Sequence, residues 1–76
     1  MNKDLAYYMA LPYEIKVAPP SEPDGDWFAE IPLLDGCMTQ GPKDKLLDMI
    51  EEAKALWLEF ALEIGAEIPE PKREHA

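Results

Sequence analysis

The chain has 76 residues, of which 47% are hydrophobic, and its 16 acidic side chains outnumber 7 Lys and Arg to give a net charge of −9. This hydrophobic fraction is ordinary for a globular protein and argues against intrinsic disorder. The negative charge repels a phosphate backbone, so we expect no direct nucleic-acid binding and a basic protein as the natural partner.

The N-terminal segment is predicted to form a short helical turn over residues 4–11, because its apolar residues have helical spacing and Asp4 can cap the first turn. Pro12 ends that turn. Residues 13–17 then alternate apolar and polar side chains, which is the pattern of a half-buried strand. The chain therefore begins with a turn that leads into a first strand.

Two further strands are predicted after a hairpin loop. The loop covers residues 19–26, which are rich in proline, glycine and acidic residues. Residues 27–31 form the predicted second strand, with Phe28 and Glu30 pointing away from the core. A short third strand is predicted at residues 37–40.

A long helix over residues 42–64 is the largest predicted element. Pro42 suits the first helical position, and Gly65 suits the left-handed residue that ends many helices. Placing successive residues 100° apart puts the apolar side chains on one broad stripe, which we predict to be the core face. The stripe consists of Leu46, Met49, Ile50, Ala53, Leu56, Trp57, Phe60, Ala61 and Ile64.

Three leucines of this helix fall outside the stripe and need another cover. They are Leu47, Leu58 and Leu62. Either the N-terminal turn folds over them or a second chain does, and the helix is also longer than the strands it covers. We predict self-association through these leucines, with the N-terminal turn as the alternative cover.

The last residues complete the predicted fold. Residues 66–68 form a short final strand before Pro69 and Pro71 prevent regular pairing, and residues 72–76 form a frayed tail. The fold class is therefore α+β, with a three-stranded antiparallel sheet, one long helix packed on one face and a short final strand. The length predicts a single domain over residues 1–76.

The acidic side chains between residues 19 and 40 are the strongest charge feature, since no basic residue interrupts them. They form either a solvated loop and strand edge or a surface that steers a basic partner. Phe28, an outward aromatic on a short sheet, is either scattered surface or part of an interface. The candidate binding residues on this surface are Glu22, Asp24, Asp26, Phe28 and Glu30.

No residue pattern indicates catalysis, a cofactor or a metal site. Cys37 is the single cysteine, and the one histidine, His75, lies in the predicted tail, so the thiol lacks a base. Gly36 and Gly41 match no nucleotide fingerprint, and Glu14 and the other carboxylates form no recognisable metal motif. We expect a protein that is not an enzyme and needs no cofactor.

The cellular location is predicted from equally simple features. A single cysteine excludes an intramolecular disulfide framework and fits a reducing compartment. No stretch approaches the roughly 18 apolar residues of a membrane span, and residues 1–4 do not begin a signal peptide. We therefore expect a cytoplasmic protein that contacts no membrane.

Three stretches of the chain, taken in order, resemble the HicB-like antitoxin family. They are residues 27–41 with their Gly-Cys-Met-Thr-Gln-Gly run, the long helix with Trp57, and the Ile-Pro-Glu-Pro sequence at 68–71. The Tyr-Tyr and Leu-Pro-Tyr lead-in looks like that of the shorter members, so the resemblance covers residues 4–71.

The resemblance implies a fold and a function. The implied fold is a partial ribonuclease-H-like domain without nuclease activity. Members of this family typically bind and neutralise a small basic toxin of the HicA type, which cleaves mRNA, and they often self-associate as homo-oligomers. Two departures are Asp35, where many members have proline, and residues 42–44, which replace a more usual acidic helix cap.

The main hypothesis is a stand-alone HicB-like antitoxin domain that binds a HicA-like toxin. Full antitoxins of this family commonly carry a C-terminal DNA-binding domain, whereas this chain stops at Ala76, so we expect no operator binding. The alternative is a non-catalytic interaction or scaffold protein of the same fold without a toxin partner. A third hypothesis, a metal-dependent nuclease, would depend on Glu14.

Overall fold

The computed structural model describes residues 3–71, and the predicted tail at 72–76, with His75, lies outside the described residues. In chain order the elements are helix α1 (Leu5–Met9), strands β1 (Lys16–Ala18), β2 (Trp27–Glu30) and β3 (Met38–Gly41), a 3-10 turn (Lys43–Lys45) and helix α2 (Leu46–Ile64). The strands form one antiparallel sheet in the order β1-β2-β3, and α2 packs against β2 and β3. The fold is α+β, as predicted.

The centre of the sheet is Ala29, which has no exposed surface. It pairs with Val17 on one side and with Thr39 on the other. Paired residues lie on the same face of an antiparallel sheet, so all three face α2, whereas Phe28 and Glu30 lie on the opposite face. The predicted orientation of β2 is thus confirmed, and the small Ala29 side chain lets α2 lie close to the sheet.

The strand and helix boundaries differ from the predicted ones mainly where prolines or turns intervene. Strand β1 forms only at Lys16–Ala18, three residues later than predicted, and β3 extends to Gly41. Pro42 has an extended backbone, with φ −66° and ψ 146°, so it precedes the helix instead of opening it. The predicted C-terminal end of the helix is confirmed, because Gly65 takes the left-handed conformation at φ 71°.

The buried stripe of α2 is narrower than predicted and rotated around the helix axis. Its buried residues are Leu46, Ile50, Lys54, Leu58 and Ala61. Leu56, Phe60 and Ile64, which were predicted to be core residues, are 63%, 61% and 60% exposed. The prediction was wrong for these three because the sheet and α1 cover only one side of the helix, while apolar residues occupy a wider arc of it.

Helix α1 covers part of α2, which agrees with the prediction that the N-terminal turn is the alternative cover for its leucines. The Asp4 side chain accepts a hydrogen bond from the Tyr7 N–H at 3.0 Å, so the predicted cap is confirmed. α1 packs on α2, where Leu58 is fully buried and Leu62 is partly buried against the core. Leu58 is therefore not available for self-association, and of the three predicted leucines only Leu47 is largely exposed.

The segment after α2 is held by side chains from the N-terminal part of the chain. The short final strand predicted at residues 66–68 is not formed among the described residues, because the Ala66 N–H donates to the Ala61 carbonyl oxygen at 2.9 Å and completes the helix end instead of joining the sheet. Instead, the Tyr13 hydroxyl donates to the Pro69 carbonyl oxygen at 2.6 Å.

A second set of contacts reinforces this closure. The Tyr7 hydroxyl donates to Glu70 Oε1 at 2.9 Å, and Lys3 Nζ donates to Glu70 Oε2 at 3.0 Å. These two contacts join residues that are 63 and 67 positions apart in the sequence. Both ends of the described chain are therefore fastened to each other over α1.

The connection between β2 and β3 is compact, and its buried residues are Ile31, Leu34 and Cys37. The Ile31 N–H donates to the Cys37 carbonyl at 3.0 Å, and Gly36 takes a positive φ of 84° that closes the turn. The Trp57 indole N–H of α2 donates to the Asp35 carbonyl oxygen at 2.8 Å. The helix thus holds this loop in place through a side-chain hydrogen bond as well as through packing.

Within residues 3–71, no helix is both long enough and apolar enough to cross a membrane.

The Tyr13 contact predicts a specific dependence of stability on alkaline pH. Burial, and after it the negative charge of Glu70, raises the pKa of Tyr13 to about 12. The unfolded chain loses this proton near pH 10, so the folded state binds more protons between pH 10 and 12 and the free energy of unfolding falls over that range. Tyr13→Phe, measured by urea unfolding, should cost about 1 kcal/mol at pH 7 and remove this part of the decline. A decline of equal size in Tyr13→Phe would contradict the assignment.

Candidate functional site

The acidic loop, which we define as residues 19–26, connects β1 to β2 at one end of the sheet. Its three carboxylates, Glu22, Asp24 and Asp26, are all exposed. The loop turns tightly, because the Gly25 N–H donates to the Glu22 carbonyl oxygen at 3.0 Å. Within residues 3–71 none of these three carboxylates makes an ion pair or a side-chain hydrogen bond, so their charges remain available to a partner.

The outer face of the sheet lies on the side opposite α2. Phe28 and Glu30 both lie there and are half-buried. Phe28 pairs in register with Gln40 of β3, whereas Glu30 pairs with Lys16 of β1. Phe28 is therefore part of a continuous sheet surface and not an isolated exposed aromatic.

The structure brings most of the predicted binding residues to one end of the sheet. The loop joins Ala18 to Trp27, so Phe28 lies in the cross-strand pair next to it. Glu30 is two residues further along β2, about 7 Å away, at the far end of the strand. The acidic loop and Phe28 therefore form one surface, with Glu30 at its margin.

Lys16 is the residue of this surface that the sequence pattern missed. No basic residue interrupts residues 19–40 in sequence, but the strand register places Lys16 opposite Glu30. Opposite charges in a cross-strand pair attract each other, and the register places both side chains on the same face of the sheet, although they form no ion pair with each other. Glu30 is for this reason a less favourable contact for a basic partner than the loop carboxylates.

The thiol and the carboxylates give no sign of a catalytic centre in the described part of the chain. Cys37 is 3% exposed, and burial raises the pKa of its thiol, although the nearby Lys54 ammonium acts in the opposite direction. Such a thiol is protonated at neutral pH and is a poor nucleophile. Among residues 3–71, no group of three His, Cys, Asp or Glu side chains is arranged to hold a metal ion.

Glu14 borders a shallow cavity of about 410 Å³. The described residues that line this cavity are Pro12, Glu14, Pro32, Leu33 and Pro71. Glu14 is the one carboxylate among them, whereas a metal-dependent nuclease needs several that converge on the same point. The surroundings of Glu14 are therefore apolar.

Helix α2 presents a second surface that the sequence pattern missed. We define the α2 ridge as Leu56, Phe60 and Ile64, the exposed residues that were predicted to be buried. It lies on the helix layer, whereas Phe28 lies on the outer face of the sheet. The sequence contains a signal for this surface, because a helix with apolar residues on more than one side has more apolar surface than a small sheet can cover.

Comparison with known proteins gives no match: no family model fits the sequence, and no curated protein or solved structure is significantly similar to the chain. The resemblance to the HicB-like family therefore stays a prediction that rests on the quoted residues.

Burial of Cys37 predicts its reactivity. We expect an aromatic disulfide reagent at pH 8 to modify the thiol at least tenfold more slowly in the native protein than in urea, because the side chain is covered and its pKa is raised. The release of the coloured thiolate measures the rate, and a small free thiol assayed in the same urea corrects for solvent effects. Equal rates for the folded and the unfolded chain would show that Cys37 is accessible.

Proposed function

We propose that this chain is a cytoplasmic, antitoxin-like protein of the HicB type, with a partial ribonuclease-H-like fold. In this proposal it binds and neutralises a small basic HicA-type toxin that cleaves mRNA. The observation that carries the proposal is the acidic loop, whose three carboxylates are exposed and unpaired within the described chain, directly beside Phe28. The net charge of −9 and the family resemblance support it.

The proposed mechanism is occlusion of the toxin's RNA-binding surface. A ribonuclease that binds RNA needs a positively charged surface for the phosphate backbone. Glu22, Asp24 and Asp26 alternate along the loop with uncharged residues, so the loop presents a short row of negative charge that competes for that surface. Phe28 adds an aromatic side chain of the kind that contributes most to binding when it is buried in an interface.

The charges are expected to act mainly on the association rate. Complementary charges raise the rate at which two proteins meet, and salt screens this effect over about 10 Å at 0.1 M. The apolar contact of Phe28 is short-range and acts on the dissociation rate. The two contributions are therefore separable by kinetics.

Self-association remains part of the proposal with a smaller surface than predicted. Leu58 is covered within the chain and Leu62 is half-buried, so Leu47 is the remaining exposed leucine of the three. Leu47 borders a cavity of about 210 Å³ that is also lined by Val17 and Trp27. We expect this exposed leucine, beside a partly covered tryptophan, to form a small contact between two copies.

The alternative function is that of an interaction or scaffold protein of the same fold without a toxin partner. The α2 ridge favours this alternative, because a scaffold needs two separate binding surfaces and the ridge is distant in the fold from the outer sheet face. Absence of a small basic protein encoded beside this chain would support it.

Co-expression with the small basic protein encoded beside this chain tests the proposal. We expect restored growth and co-purification, with a dissociation constant raised at least tenfold by the triple variant Glu22→Gln, Asp24→Asn and Asp26→Asn. This variant changes the net charge from −9 to −6, and we expect it to reduce the salt dependence of the association rate. Surface plasmon resonance at several salt concentrations measures both quantities.

The matched control removes the same charge from other positions. The triple variant Glu14→Gln, Asp44→Asn and Glu67→Gln also changes the net charge from −9 to −6, but at exposed residues outside the acidic loop and the α2 ridge. We expect toxin binding to change less than threefold in this control. No growth rescue and no co-purification would contradict the antitoxin function, and equal effects of the two triple variants would contradict the role of the acidic loop.

A further inference from the structure

The α2 ridge is a continuous apolar surface on the solvent side of the longest element. Leu56, Phe60 and Ile64 are four residues apart, so they lie one above the other on the same side of the helix. Each is more than half exposed, at 63%, 61% and 60%. Contiguous exposed apolar side chains of this size mark interaction sites in soluble proteins more often than single exposed residues do.

The ridge is not part of the core. Ile50 and Leu58 of the same helix have no exposed surface, and they pack into the cluster formed with the sheet and α1, to which none of the three ridge residues belongs. The ridge instead borders a shallow groove of about 230 Å³ between β3 and α2. The groove is lined by Thr39, Met49, Glu52, Ala53 and Leu56. A partner on the ridge therefore has a recess beside it for a side chain.

An acidic row runs beside the ridge. At 100° per residue, Glu52, Glu59 and Glu63 lie within about 60° of Leu56 around the helix axis, and all three are exposed. The one basic residue in α2 is Lys54, which is buried on the core side and paired with Glu51 at 3.1 Å. The ridge is thus flanked by negative charge that no cation of α2 balances.

The charge pattern distinguishes between possible occupants of this surface. A second copy of the chain would bring two acidic rows together, and each copy already carries a net charge of −9. Like charges across an interface cost several kcal/mol in general. A partner with apolar side chains flanked by Lys or Arg would cover the ridge and pair with Glu52, Glu59 and Glu63 at the same time.

We propose that the α2 ridge docks a basic amphipathic helix of a partner protein. Ridge residues at intervals of four match the way in which one helix packs along another, with anchors repeated every three or four residues. The groove beside Leu56 receives a side chain of the partner helix, and the acidic row pairs with its flanking cations. This surface is additional to the acidic loop, and its occupation does not require the proposed toxin.

A synthetic peptide tests the proposal without knowledge of the natural partner. The probe is a helical peptide with leucines at i, i+3, i+4 and i+7 and lysines beside them, labelled for fluorescence anisotropy. Two matched peptides replace either all lysines by glutamate or all leucines by serine. We expect the basic amphipathic peptide to bind at micromolar concentration and each matched peptide to bind at least tenfold more weakly.

Variants of the protein locate the binding surface. The double variant Leu56→Gln and Phe60→Gln should raise the dissociation constant of the basic amphipathic peptide at least tenfold, and the triple variant Glu52→Gln, Glu59→Gln and Glu63→Gln should weaken binding and flatten its salt dependence. The control is Leu33→Gln, because Leu33 is an exposed leucine of the β2–β3 connection that lies outside the ridge and outside the proposed self-association contact. Circular dichroism and thermal unfolding establish that each variant is folded.

Three outcomes would overturn the proposal. The first is no binding of the basic amphipathic peptide at millimolar concentration. The second is binding that the double variant leaves unchanged, which would make the attraction a general effect of net charge. The third is a dimer in sedimentation that the double variant converts to a monomer, which would assign the ridge to a second copy. None of these results bears on toxin neutralisation, because the assay contains no toxin.

Discussion

The constraint that organises this protein is that helix α2 has more apolar surface than the rest of the chain can cover. Its 19 residues face a sheet of strands only three or four residues long and a second helix of 5 residues. Burial of the side that contains Ile50 and Leu58 supplies the core, since both are fully buried. A neighbouring strip of the helix surface, with Leu56 and Phe60, is left to solvent or to a partner.

The same shortage of covering surface explains how the chain ends are used. A chain of 76 residues buries a smaller fraction of its surface than a larger domain does, so the core that it forms by itself is marginal. Helix α1 adds a cover for α2, and the segment after Gly65 is fastened by Tyr13 at the Pro69 carbonyl and by Tyr7 at Glu70. The side-chain hydrogen bonds hold in place a segment that the sheet cannot take up.

Local chemistry made much of this fold predictable. Alternation of apolar residues and the positions of prolines predicted the strands and the orientation of Ala29, and Asp4 and Gly65 marked helix ends that the structure confirms. The rotation of α2 was not predictable, because the 100° periodicity marks every apolar residue and only the neighbouring layers decide which are buried. Leu58 was placed off the core face for this reason, although it is fully buried.

The candidate binding surfaces also include features that the sequence predicts and features that it does not. The charge of the acidic loop is evident from composition, since Glu22, Asp24 and Asp26 lie close together in sequence. The cation opposite Glu30 depends on strand register, and register is a property of pairing between distant segments. The helical periodicity does not reveal the α2 ridge, because it assigns the same three residues to the core face.

The central claim is that helix α2 has a buried side, which contains Leu58, and an exposed side, which contains the α2 ridge. The most direct test is to compare Leu58→Ala with Phe60→Ala in urea unfolding, since the two residues are two positions apart on the same helix. We expect Leu58→Ala to lower the free energy of unfolding by about 2–5 kcal/mol, as for a fully buried leucine, and Phe60→Ala to lower it by less than about 1 kcal/mol. Equal losses, or a larger loss for Phe60→Ala, would contradict the assignment of the two sides.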